Sequence, residues 1–309
     1  MDTTARSSRP ATALALLALG LAPALARADD PAPNDGMRFV SVGGQADSQH
    51  NQQVLSALSL PVGRHAWVQA GGGQSRDSQA AGGRKPDIVT GAVGVAGKSA
   101  QWTVSAAHRA DGGKYRQTDV GSSLDWKHDG NVLGVDVTHR DSRASGTVAS
   151  GSGTVPAQAR VSGNGVGLHG TLSATERVSV YGAVARNHYK TTTTTTTPSA
   201  PSAPGGLLGG LDPVLGRTLL GGTSVVNRDE AALDHSALAG VTYRFDKVAV
   251  SGEYTTGQVA DNGGAMRSVA LKAAIDVAPG WRVAPGIGRG TTAQAGHANF
   301  ASLAATYGW

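Results

Sequence analysis

The stretch "RSVALKAAIDV", residues 267 to 277, places Val269, Leu271, Ala273, Ile275 and Val277 at every second position, with Ser268, Lys272 and Asp276 between them. Successive strand residues point to opposite faces, so this segment reads as a strand with one apolar and one polar side. The same period recurs. "QWTVSAAHR" sets Trp102, Val104 and Ala106 against Gln101, Thr103, Ser105 and Arg109, and "VLGVDVTHR" sets Leu133, Val135 and Val137 against Gly134, Asp136, Thr138 and Arg140. "DVGSSLDWK" and "HSALAGVTYRF" repeat the pattern, with Val120, Leu124 and Trp126 apolar in the first and Ala237 to Phe245 in the second. Helix-period patterns are scarce, and the whole chain yields about fourteen such segments, each near the ~9 to 11 residues that cross a bilayer at a tilt. They fall at 36–46, 51–61, 64–75, 87–97, 100–110, 115–127, 131–142, 159–173, 176–190, 231–245, 247–260, 265–278, 280–291 and 297–309.

What the apolar faces touch is decided by composition. Glycine occurs 44 times in 309 residues, phenylalanine only 3 times, and hydrophobic residues make up 39%. A soluble domain of this length would fill a large core with bulky side chains, and this chain has too few. A closed sheet with lipid outside and a polar interior needs only the alternation itself. Cysteine is absent, which excludes a disulfide framework and any thiolate metal site.

The amino-terminal segment reads as targeting information. Arg6 and Arg9 precede "ATALALLALGLAPAL", an apolar run too short to span a membrane, and Ala26-Arg27-Ala28 offers a small-x-small cleavage site. The expected division is a signal peptide over 1–28 and one barrel domain over 29–309. Net charge is 27 minus 22, or +5, and without residues 1–28 it is 24 minus 21, or +3. That mild balance gives no footprint for nucleic acid.

Connections support the same architecture. "PVGR", "GKSA", "KHDGN", "SATER", "FDK" and "APGW" are tight turns, while "GQSRDSQAAGGRKP", "SRASGTVASGSGTVPAQ" and the excursion over 191–230 are long. Short turns toward the periplasm and long loops outside are the outer-membrane arrangement. Trp102, Trp126, Tyr243, Phe245, Trp281, Tyr307 and Trp309 all fall near turn-side strand ends on the apolar parity, as an interfacial aromatic girdle would. In the first strands the faces are ambiguous, because Phe39 and Trp67 compete with Val40 and Val68 for the outward side.

The terminal stretch "ASLAATYGW" resembles the carboxyl-terminal signal of bacterial outer-membrane β-barrels, with Trp309 last and Tyr307, Ala305, Leu303 and Ala301 on matching parity. The resemblance implies a porin-like class, location in the cell outer membrane, and reading of Leu303, Tyr307 and Trp309 by the barrel-assembly machinery. It names no specific family and no substrate.

Several motifs have competing readings. "GVGLHG", Gly165 to Gly170, matches a dinucleotide fingerprint, but it lies inside a strand with Val166, Leu168 and Leu172 outward, and that fingerprint needs a helix after it. His108, His128 with Asp129, His139, His169 and His188 supply hydrolase chemistry only if the fold gathers them. "DSQHN" holds Ser48 and His50 in the first external connection, the best local site for a barrel hydrolase, though a polar hairpin explains it equally well.

Charged residues fall on the polar parity: Arg109, Asp119, Asp125, Asp136, Arg140, Asp234, Arg244, Lys247, Glu253, Lys272, Asp276 and Arg282. Arg or Lys on the lipid face near the midplane costs ~2 to 4 kcal/mol, so these belong to the lumen. Either they shape the field of a water-filled pore, or they cross-link the lumen shut. The many small inward residues favour the pore. The 191–230 loop opens with seven threonines and continues with Leu207, Leu208, Leu211, Leu215, Leu219 and Leu220, a pattern that suits a constriction over 199–224. Arg76, Arg84, Lys85 and Arg143 suit charge pairing with lipopolysaccharide phosphates.

The expected function is a passive, weakly selective channel for small polar solutes, without enzymatic activity, cofactor or metal. A surface-structural or secretion-accessory barrel acting through its external loops is the second reading, and an outer-membrane hydrolase the third.

Overall fold

The computed structural model describes residues 38–48, 50–76, 85–113, 115–150, 153–195, 233–259, 265–292 and 296–309. Fourteen strands run in chain order: β1 Phe39–Asp47, β2 Gln52–Val62, β3 Ala66–Arg76, β4 Asp87–Ala96, β5 Ala100–Ala110, β6 Tyr115–His128 and β7 Asn131–Ser150. Then follow β8 Gly153–Ser173, β9 Val178–Thr195, β10 Leu233–Arg244, β11 Val248–Val259, β12 Ala265–Ala278, β13 Trp281–Thr292 and β14 Gly296–Gly308. Each pairs antiparallel with its chain neighbours, and β1 pairs with β14 from Phe39↔Gly308 to Asp47↔Phe300, closing the barrel. Closure leaves no sheet edge along the seam, which is what allows strands to stand in hydrocarbon. Backbone bonds from Ser48 to Asn299 and from Trp309 to Arg38 extend that seam at both ends.

The alternation read from the sequence sorts into an outer and an inner face. Leu133, Leu172, Leu271, Ile287 and Leu303 are each more than half exposed, on the outside. A bilayer supplies the burial that water would not. The ambiguity in the first strands is settled: Phe39 and Trp67 are buried on the lumenal side at 4% and 1% exposure, while Val40 and Val68 face out at 40% and 41%. On the same inner side Leu238 packs with Tyr181, Ala249 and Ala274.

Two features differ from the sequence reading. The connection "SRASGTVASGSGTVPAQ" is not a long loop: β7 and β8 stay paired from Arg143↔Arg160 to Ser150↔Gly153. The β-branched Thr147, Val148, Thr154 and Val155 suit a ladder, and glycine and serine content with no apolar period on the outer face concealed it. Likewise Thr191 to Thr195 continue β9, paired with Val161 to Ala157, so the connection begins after residue 195. β7, β8 and β9 therefore stand beyond the rest of the rim, at 20, 21 and 18 residues. On this extension Arg160 hydrogen-bonds Asp141 and holds its carboxyl below the usual carboxylate range. The signal peptide over 1–28, the proposed constriction over 199–224 and Arg84 lie outside the described residues.

The turn side carries most of the outward aromatics. Trp102, Trp126, Tyr243, Phe245, Trp281 and Trp309 are exposed outward there. Trp281, Tyr307 and Trp309 form one contact series, with ring centroids 4.9 and 5.9 Å apart, and Tyr243 meets Phe245 at 4.7 Å.

Candidate functional site

The lumen holds charged residues of both signs, and register explains how they meet. Asp125 on β6, Gly134 on β7 and His169 on β8 lie in one row. The His169 ring lies over Gly134, with Nε2 2.8 Å from Asp125 Oδ1 and Nδ1 2.7 Å from Asp136 Oδ2. A Cβ at position 134 would sit 2.2 Å from His169 Nε2 and 2.4 Å from Asp125 Oδ1, so only glycine permits the bridge. Both ring nitrogens face carboxylates, so an N–H on either has an acceptor within hydrogen-bond distance.

A second row repeats the device. Tyr181 on β9, Gly240 on β10 and Glu253 on β11 are in register. Tyr181 lies across Gly240 and donates from its hydroxyl to Glu253 Oε2 at 2.9 Å, while Lys272 Nζ reaches both Glu253 oxygens at 2.9 and 3.0 Å. Large side chains thus lie along the wall over a neighbouring glycine.

Other charges pair directly across strands. Arg140 binds Asp119 in fork geometry, Nε to Oδ1 at 2.7 Å and the second nitrogen to Oδ2 at 3.2 Å, the stronger form of ion pair. Gln117 donates to Asp119 and accepts from the Tyr115 hydroxyl, each at 2.7 Å. Arg282 Nε meets Asp276 Oδ1 at 2.6 Å, and Lys127 Nζ meets Gln101 Oε1 at 2.7 Å.

The remaining inward candidates divide. Arg109 is on the lumenal parity and 1% exposed. Arg244 ends β10 with an exposed side chain, and Lys247 lies in the exposed turn after it rather than in the lumen wall. Asp234 sits where the β10–β11 register shifts and meets its neighbour His235 at 3.2 Å, because a bulge interrupts the alternation there. Sequence reasoning passed over Tyr181, Gln117 and Lys127 as lumenal polar residues, and their inward parity was the available signal. It placed His169 in a hydrolase set when its parity opposite Leu168 put it in the lumen.

The lumen wall is uneven. On β3 to β6, Trp67, Ile88, Gln101, Arg109 and Gln117 are all buried. On β10 to β14, Ser236, Gly240, Lys272, Ala284, Gly288, Ser302 and Ala304 are partly exposed. Accessible lumenal surface therefore concentrates on the carboxyl-terminal half of the barrel.

The hydrolase candidates do not converge. His108 and His139 face outward onto Thr118 and Asn164, His128 meets Asp129 in an exposed turn, and His188 is outward, while His169 is inside the wall. Ser48 Oγ accepts the Asn299 amide at 3.0 Å, and Asp47 caps the hairpin by accepting from the Asn51 backbone and side chain. "GVGLHG" is internal to β8 with no helix after it. Among the described residues no group of three or more His, Asp or Glu is placed to hold a metal ion.

No known protein-family model matches the chain, and no curated protein matches it. Solved structures do. A deltaS2 mutant of the TodX monoaromatic hydrocarbon channel is 11% identical, covering 91% of this chain and 93% of that one at a TM-score of 0.50. The Pseudomonas putida toluene transporter TodX is 12% identical, covering 90% and 91% at 0.48, and a KdgM porin is 8% identical, covering 88% and 99% at 0.42. At such identities the likeness is one of fold. The chain has the closed, antiparallel, 14-stranded fold of outer-membrane β-barrel proteins, without the mark of any one family among them.

Proposed function

We propose that this protein is an outer-membrane channel through which small polar solutes pass passively, without chemistry. The observation that carries this reading is the disposition of large lumenal side chains. His169 and Tyr181 lie along the wall over Gly134 and Gly240, with their polar ends tied to carboxylates on neighbouring strands. Side chains held tangentially keep their bulk near the wall, whereas a lumen plugged for structural purposes would project them across it. The solute path runs along β10 to β14, where small residues are partly exposed and Glu253, Lys272, Asp276 and Arg282 supply paired charge of both signs. Balanced pairs favour weak selectivity.

Liposome swelling tests the reading. Proteoliposomes should swell in small sugars, at a rate falling with sugar size. Folded protein that produces no swelling would reject it.

The projection of β7 to β9 favours one second reading, a surface-structural or accessory barrel acting through its exterior. A barrel of that kind would be folded and inactive in the swelling assay.

A further inference from the structure

The outer wall has a feature that a channel does not need. Across β9 to β12 near the loop-side rim runs a groove of about 530 Å³, lined on its outward positions by Val184, His235, Ala237, Thr256, Gln258 and Arg267. Register gives its shape. Val184, Ala237, Thr256 and Arg267 form one row across four strands, with small residues in the middle and larger ones at the ends. At ~4.8 Å between strands, the ends are ~14 Å apart. In the next row toward the membrane centre Gly182 and Ala239 are small again, and Tyr254 and Val269 wall the far side.

The charge around the groove is one-sided. Arg186 pairs in register with His235 at one end. At the other, Arg267 lies opposite Thr291, and Arg289 is two residues along the same strand, a diagonal of ~7 to 8 Å. All three arginines are exposed on the outward parity and none enters an ion pair among the described residues. The one described carboxylate nearby, Asp234, meets His235. Outward arginines with no partner are expensive in hydrocarbon, but at the rim they reach the headgroup layer, where phosphate is the abundant anion.

We infer that this groove binds the bisphosphorylated glycolipid of the outer leaflet, the lipid A portion of lipopolysaccharide. Arg186 with His235 takes one phosphate, Arg267 with Arg289 takes the other, and an acyl chain lies in the trough over Ala237, Ala239 and Gly182. The inference rests on the outer-membrane placement proposed above. It differs from the rim charges at Arg76, Lys85 and Arg143, which lie around β3, β4 and β7.

The test is native mass spectrometry of the full chain in detergent, titrated with bisphosphoryl lipid A, monophosphoryl lipid A or inorganic phosphate. Bisphosphoryl lipid should bind best. R267A/R289A should weaken it at least ~10-fold. A237W, which fills the trough and leaves the charges, should weaken it as well, and R116A, an outward arginine away from the groove, should not. Equal binding by wild type and both groove variants, equal binding of the two lipids, or displacement by inorganic phosphate at matched concentration would overturn the inference. Swelling activity is read on the same samples. Loss of lipid discrimination in a conducting barrel rejects the groove alone, and discrimination in a non-conducting barrel rejects the channel alone.

Discussion

Tyr181 lies flat across Gly240, and its hydroxyl bonds Glu253 on the strand beyond at 2.9 Å. Three strands are linked inside the wall by one side chain, and the link exists only because the middle residue has no Cβ. A methyl at position 240 would sit 2.3 Å from the ring, so Gly240→Ala must push Tyr181 toward the axis. The expected cost is about 1 to 3 kcal/mol of overpacking, together with lower conductance. The check is thermal unfolding followed by heat-modifiable gel migration, alongside single-channel recording. Adding Tyr181→Ala should restore most of the conductance, since the ring is then absent.

Lys272 neutralises Glu253 from both carboxylate oxygens. Replacing it with glutamine should shift the channel toward cations, changing the permeability ratio by roughly two-fold or more. Reversal potentials in a salt gradient measure this. An unchanged potential would place Glu253 and Lys272 off the ion path.

Position matters more than residue type in this fold. Leu271 faces out near mid-strand, and Ser302 faces in on the wall two strands away. Leu271→Arg should destabilise by ~2 to 4 kcal/mol and reduce assembly, whereas Ser302→Arg should assemble normally and narrow the pore. Comparable assembly defects in both would contradict the face assignment.

His169 stands between Asp125 and Asp136 inside the wall, with its side chain only 6% exposed. His169→Ala leaves two carboxylates facing each other without their shared donor, at a cost of about 3 to 5 kcal/mol. Combining it with Asp136→Asn should recover part of that loss. Denaturant titration of the refolded variants reads both, and additive losses would show that the three side chains do not act as one unit.

Because the chain has no cysteine, single cysteines report orientation cleanly. Val40→Cys should react with a lipid-soluble thiol reagent and Ser41→Cys with a water-soluble one entering through the lumen. The reverse pattern would show that Phe39 faces lipid after all.

Much of the fold was legible because a membrane barrel writes its two environments at alternate positions. All fourteen strands were located, with β5 and β12 bounded as expected at 100–110 and 265–278. The failures have physical causes. Phe39 and Trp67 are large apolar groups on the lumenal face, so hydrophobicity alone could not orient β1 and β3. The β7–β9 extension lies above the lipid, where the outer face carries Asp141, Arg143 and Arg160 and the apolar period that marks a strand is missing. Inward parity pointed to charges such as Asp119, Arg140, Glu253 and Lys272 but not to their pairing, and it missed Lys127. Which acid meets which base depends on register, and the glycines under His169 and Tyr181 became meaningful only once Gly134 and Gly240 were seen to lie between their partners.

Single-channel recording of the refolded protein in a planar bilayer tests the central claim most directly. Stepwise, ohmic conductance that falls in Gly240→Ala and changes ion preference in Lys272→Gln is the predicted result. A fully heat-modifiable, folded barrel that inserts and yet carries no current would contradict it.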